Sequence, residues 1–166
     1  MVQRLRGCAL SIGVAAATLL TGACDRDVDA GAALLQELES ADYRNSYKRP
    51  PGWGRRLRGD SPHGSWVDIY INDVMVDAIA DNVPLDTWPV GSRVVIEGWA
   101  NEGSEIREFL LVMSKPVATD TWYWAEWGVE DVLVYAGEAV VHCTNCHDVG
   151  EDRVRAFDLP PIAMTP

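Results

Sequence analysis

The sequence predicts an α+β domain, mainly antiparallel β-sheet with peripheral helices. Three observations lead there. Segments at 66–71, 93–99, 108–113 and 121–127 are rich in β-branched and aromatic residues, with turn-forming clusters between them. Helical spacing of apolar residues is confined to 27–40, 73–80 and 138–147. No internal repeat or low-complexity block divides the chain, and 166 residues suit one core rather than two.

Each element has its own reason. Asp27 is placed to cap the first helix, where Ala33, Leu34 and Leu38 recur at helical spacing before Ser40. Residues 49–64 are rich in Pro, Gly and Arg and read as a loop ending in Ser61-Pro62-His63-Gly64. In 66–71, Val67, Ile69 and Ile71 take one side and Trp66, Asp68 and Tyr70 the other, because strand side chains alternate. A short helix at 73–80 and a turn-like stretch at 84–91 come next. Asn101-Glu102-Gly103-Ser104 joins the two following strands as a hairpin loop. Residues 138–147 form the last helix.

Seven tryptophans are expected to fill a core or a sheet face, their indole N–H groups finding partners. Trp122, Tyr123, Trp124 and Trp127 equally suit the wall of an apolar pocket.

The chain carries a net charge of -11, which excludes a general affinity for nucleic acid. Two of its 14 basic residues, Arg4 and Arg6, lie in the first 24 positions, where there is no acid, so the body is more acidic than the total. Those arginines precede an apolar run from Cys8 to Leu20, the pattern of an export signal. Thirteen residues rise about 20 Å as a helix, against roughly 30 Å of bilayer core, so a permanent span is not expected. The run ends in Leu20-Thr21-Gly22-Ala23-Cys24, which resembles a bacterial lipobox with Leu one step early. The expectation is a leader at 1–23, a lipid on Cys24, and a periplasmic protein that meets the membrane only through that lipid. An anchor segment with a short helix then occupies 24–42, the main domain 43–153 and a tail 154–166.

Cys8 leaves with the leader and Cys24 is accounted for, so Cys143 and Cys146 remain. Cys143-Thr144-Asn145-Cys146-His147 is the attachment signature of haem c. Two thiols three residues apart reach the two vinyl groups of one porphyrin, and the next imidazole falls beneath the iron as proximal ligand. Three other uses of these residues compete: a Cys143–Cys146 disulfide, a redox-active Cys-x-x-Cys pair, and zinc held with His147 and either His142 or His63. The motif lies close to the C-terminus. Met164, the one methionine after it, sits in a Pro-rich stretch poorly suited to serve as sixth ligand.

The order of features resembles the cytochrome P-460 family, which includes the cytochromes c′-beta. The matching pieces are His63-Gly64 leading into Tyr70-Ile71-Asn72, then Pro89-Val90-Gly91, Leu111-Val112-Met113-Ser114-Lys115, Trp122-Tyr123-Trp124 and the late haem motif. The resemblance implies an antiparallel sheet fold, one covalent haem c with proximal His147, an open distal side and a homodimer. Some members oxidise hydroxylamine, and their c′-beta relatives bind small gases such as nitric oxide. A lysine bonded to the porphyrin edge marks the oxidising members. Here the only lysines are Lys48 and Lys115, and Lys115 falls where the family commonly has one. Lys115 otherwise reads as a solvated strand end, and Lys48 as a surface charge.

Hydroxylamine oxidation also benefits from a distal carboxylate as proton acceptor. Glu97, an acid within Val94-Val95-Ile96-Glu97, is the candidate, and otherwise faces outward from its strand. His63 is a candidate distal ligand or proton shuttle, or else a loop-holding histidine, and His142 reads as structural. The leading expectation is therefore binding or oxidation of a small nitrogen species, hydroxylamine or nitric oxide, at an open iron position. The alternative is an electron-transfer cytochrome with both axial positions filled. Either needs a redox partner protein, and the acidic body favours one with a basic face.

Overall fold

The computed structural model describes residues 27–116 and 121–161. The leader, its cleavage site, Cys24 with its expected lipid, and Met164 lie outside the described residues. Among the described residues no helix is long and apolar enough to cross a membrane.

The chain folds as α+β around one six-stranded antiparallel sheet. The strands are β1 (Leu57–Ser61), β2 (Gly64–Ile71), β3 (Arg93–Trp99), β4 (Arg107–Ser114), β5 (Tyr123–Trp127) and β6 (Leu133–Gly137). Their spatial order follows the chain, so each pairs with the next in sequence. Antiparallel neighbours need only short connections, and that is what the turn clusters supply. The expected hairpin between β3 and β4 is present, and the amide of Gly103 donates to the Asn101 side chain at 3.0 Å.

Helix α1 (Val28–Ser40) starts as expected, with Ala30 N donating to Asp27 Oδ1 at 3.0 Å. Its buried face is Gly31, Leu34 and Leu38, whereas Ala33 is exposed. Helix α2 is the single turn Tyr43–Ser46, α3 spans Asp73–Asp81 and α4 spans Val141–His147. A 3-10 turn at Val129–Asp131 leads into β6.

Two strands differ from the sequence reading. β1 falls inside the expected loop at 49–64, because its Gly, Asp and Arg residues show no apolar alternation. Its pairing is imposed from outside by β2, with Leu57 opposite Val67. β6 closes the other edge against β5, with Ala136 opposite Ala125.

Alternation then gives the sheet two buried faces. On one, Val67, Ile69, Ile71, Val94, Met113 and Trp124 pack beneath α3 and the segment after α4. On the other, Tyr70, Val95, Leu110, Val112 and Trp127 pack against Leu34 and Leu38 of α1. The expected anchor segment and tail both join this core. Leu38 is fully buried, and Val154 and Phe157 are buried beyond the proposed boundary at 153.

Candidate functional site

Two histidines distant in sequence meet on the face that carries α4. The rings of His63 and His147 lie 6.1 Å apart between centroids. His63 sits in the tight turn between β1 and β2, and His147 is the last residue of α4. The turn closes onto β3 because position 98 is glycine. A Cβ there would stand 2.1 Å from the carbonyl oxygen of His63, closer than any real contact.

His147 is oriented from two sides. Its Nδ1 lies 2.7 Å from the carbonyl oxygen of Arg153, which makes Nδ1 the protonated nitrogen and leaves Nε2 with its lone pair. Trp124 meets the ring edge-on, 4.8 Å between centroids. Burial holds the imidazole below its ordinary pKa against the opposing effect of the Arg153 carbonyl, with Arg155 and Arg153 adding to the lowering. Burial likewise pushes His63 down to about 4, helped by His147 and Arg155, so it is neutral at neutral pH. A neutral imidazole can accept a proton or bind a metal; a protonated one can do neither.

Cys143 and Cys146 carry free thiols on the same short helix. They open onto different spaces beside His147. Cys143 lines a small apolar cavity with His63, Trp124, Leu111 and Met113. Cys146 lines a cleft of about 270 Å³ whose floor is Val67, Ile69, Val94 and Ile96 of the sheet. Burial, with Glu126 and Cys146 adding to it, pushes the Cys143 thiol up to about 11. A redox-active Cys-x-x-Cys pair has the opposite character, a depressed thiol pKa. The zinc alternative calls for a gathered ligand set, and among the described residues no three His, Cys, Asp or Glu side chains are gathered for a metal ion. His142 is exposed and lies against Tyr135, 5.3 Å between centroids.

The other sequence candidates go elsewhere. Glu97 is not outward-facing, nor does it join the histidines. It is buried on the α1 face, where Tyr43 donates at 2.7 Å, Arg44 at 2.5 Å and Tyr70 at 3.2 Å. β3 alternates, so Val94 and Ile96 line the cleft while Val95 and Glu97 point away. The role of distal proton acceptor is therefore corrected: Glu97 is separated from the histidines by the sheet itself. Lys115 is not a solvated strand end. It is 2% exposed, and its Nζ donates to Trp88 O at 2.9 Å and Asp152 Oδ2 at 3.0 Å. Lys48 is exposed and pairs through its backbone with Ile71.

The aromatic run divides between the faces, Trp122 and Trp124 on the histidine side and Trp127 on the other. The indole of Trp53 donates to Ala156 O at 2.8 Å. Those of Trp88, Trp99 and Trp122 find no acceptor among the described residues, contrary to the sequence expectation. Sequence reasoning missed Arg153, because its part is played by a backbone carbonyl and carries no residue-type signal.

Comparison with protein-family models, with curated proteins and with solved structures finds no match.

Proposed function

We propose that this chain is an exported, lipid-anchored c-type cytochrome with one covalent haem, held by Cys143 and Cys146 and ligated by His147. The observation that carries the reading is the state of His147. A metal-binding imidazole characteristically gives its second N–H to a carbonyl or carboxylate, which fixes the tautomer and turns the other nitrogen to the metal. His147 has that arrangement through Arg153 O, at the end of a helix that presents both thiols. The apolar floor of the adjoining cleft suits a porphyrin face, and the protonated state of Cys143 suits a thiol destined for a thioether rather than for redox exchange.

When bound, the haem would supply redox chemistry and a site for a small nitrogen ligand such as nitric oxide or hydroxylamine. Val94, Ile96 and Met113 make the wall beside it apolar, and neutral His63 is one of the polar groups, with Arg155, that line the same space. There His63 can accept a proton from a bound ligand, the role that Glu97 is not placed to fill. The kinship with the cytochrome P-460 family belongs to this proposal, as do a homodimer and a basic redox partner.

A second reading rests on the His63–His147 separation. Two imidazoles at roughly 2 Å from one metal have centroids roughly 6 Å apart, and these are 6.1 Å apart. His63 would then be the sixth ligand of an electron-transfer cytochrome. A visible spectrum after expression with haem maturation decides between them. High-spin ferric iron that responds to nitric oxide supports the first reading. Low-spin iron that becomes high-spin in His63→Ala supports the second. Absence of a Soret band sinks both.

A further inference from the structure

The turn after α4 is built in an unfavourable way. Val154 N donates to Glu151 O at 3.1 Å, closing a four-residue turn whose central residues are Asp152 and Arg153. Both have positive φ, 44° and 70°. Turns with two positive φ values favour Asn-Gly or Gly-Gly at those positions. Asp tolerates the left-handed region, but a long side chain such as Arg adopts it only at an energetic cost. Such a turn persists only where its surroundings hold it.

Four contacts hold it. Asp152 Oδ2 accepts from Trp88 N at 2.8 Å and from Lys115 Nζ at 3.0 Å. Lys115 closes the triangle by donating to Trp88 O, while its own backbone is fixed by Gly91 N and by Ser92 O. On the other side of the turn, the Arg153 guanidinium reaches Thr144 O at 3.3 Å and pairs with Asp148, both belonging to α4 or its end. Gly150 admits the turn to this position, since a Cβ there would lie 2.5 Å from Val154 O. What the clamped turn presents is the Arg153 carbonyl, aimed at Nδ1 of His147. A buried lysine–aspartate pair is a poor source of stability, because desolvating both charges offsets most of their attraction. Its worth here lies in where it puts the turn.

We propose that Lys115 and Asp152 are positioning residues, which hold the Arg153 carbonyl on His147 Nδ1 and so set the electron-donating strength of that imidazole toward iron. The inference rests on His147 being the proximal haem ligand. A hydrogen-bonded Nδ1–H makes the other nitrogen a stronger donor, which stabilises ferric iron and stiffens the iron–histidine bond. Lys115 thereby acts on the haem at a distance through Asp152.

The test uses the haem-loaded full-length protein and four variants: Asp152→Asn, Lys115→Met, Lys115→Arg and, on the opposite sheet face, Leu38→Ala. Asp152→Asn and Lys115→Met are expected to raise the reduction potential and lower the iron–histidine stretching frequency. Lys115→Arg is expected to restore both, and Leu38→Ala to lower the melting temperature while moving neither. Unchanged values in the first two variants overturn the proposal, as does an equal shift in Leu38→Ala. Should the first two fail to fold, the wild type still decides. In its diamagnetic ferrous carbon monoxide form, the His147 Nδ1–H proton is expected to exchange with solvent about tenfold or more slowly than an unbonded one. Fast exchange overturns the proposal. A wild type that stains for covalent haem but shows fast exchange defeats this inference alone. A wild type without covalent haem defeats the haem reading and the inference with it.

Discussion

The two faces of one sheet are built from the same alternation and put to opposite ends. The α1 face carries a cleft of about 470 Å³ rimmed by paired charges, among them Arg44, Arg107 and Asp131. Its buried acids are matched within the chain, Glu97 by Tyr43, Tyr70, Arg44 and Arg107, and Asp68 by Arg49 and Arg56. Burial and the nearby carboxylate raise the pKa of Tyr70 to about 12, keeping that hydroxyl a donor across the physiological range. The opposite face keeps a cleft of about 270 Å³ and brings His63, Cys146 and His147 to its edge. A face whose buried charges are matched by its own side chains is chiefly a stabilising core. A face that leaves apolar space beside two imidazoles has the character of a ligand pocket.

The largest expected effect breaks the histidine face alone. Replacing both Cys143 and Cys146 by alanine should abolish covalent haem staining, while circular dichroism still reports the sheet. Retained covalent haem in that double variant would falsify the attachment reading. Next comes Glu97→Leu, which leaves Arg44 and two tyrosine hydroxyls without their acceptor and takes from Arg107 one of its two carboxylate partners. Removing one partner of a buried charged network costs about 3 kcal/mol, to be read from urea unfolding. The visible spectrum should stay as in wild type, and a shifted Soret band there would mean that the faces are coupled.

A smaller effect is expected from Gly98→Ala, where the new methyl meets the His63 carbonyl. Overpacking of this kind costs about 2 kcal/mol, and the displaced His63 should change the rate of nitric oxide binding to haem-loaded protein. A loss of stability with unaltered binding kinetics would separate His63 from the ligand pocket.

The subtlest test is the acid limb of stability in haem-free protein. His63 has a folded pKa of about 4 against 6.5 unfolded, so the unfolded chain binds the extra proton first. Its contribution is whole above pH 6.5, is lost as pH falls toward about 4, and levels below that. His63→Asn should flatten this limb, whereas Leu38→Ala on the opposite face should leave its pH dependence in place.

Much of the fold was legible because alternation and helical spacing are local. β3 occupies 93–99 as the sequence reading has it, and α1 begins at its Asp27 cap. β1 escaped because Leu57-Arg58-Gly59-Asp60-Ser61 pairs only where β2 offers an edge, a property of the partner and not of the segment. That Cys143, Cys146 and His147 stand together was legible, because their spacing falls along a single helix. It was misread at Glu97 because an acid flanked by apolar residues looks alike on either side of a buried sheet.

The sequence by itself determined most of the strand-forming segments, the Cys143-Thr144-Asn145-Cys146-His147 pentapeptide and the acidic body, since each depends on neighbours a few positions away. Only the tertiary structure decided which face of β3 meets the histidines, that His63 lies opposite His147, and that Lys115 is spent on Asp152. The physical reason is the same in all three cases. Register and packing bring together groups separated by tens of residues, and a buried group's partner, not its identity, sets what it can do.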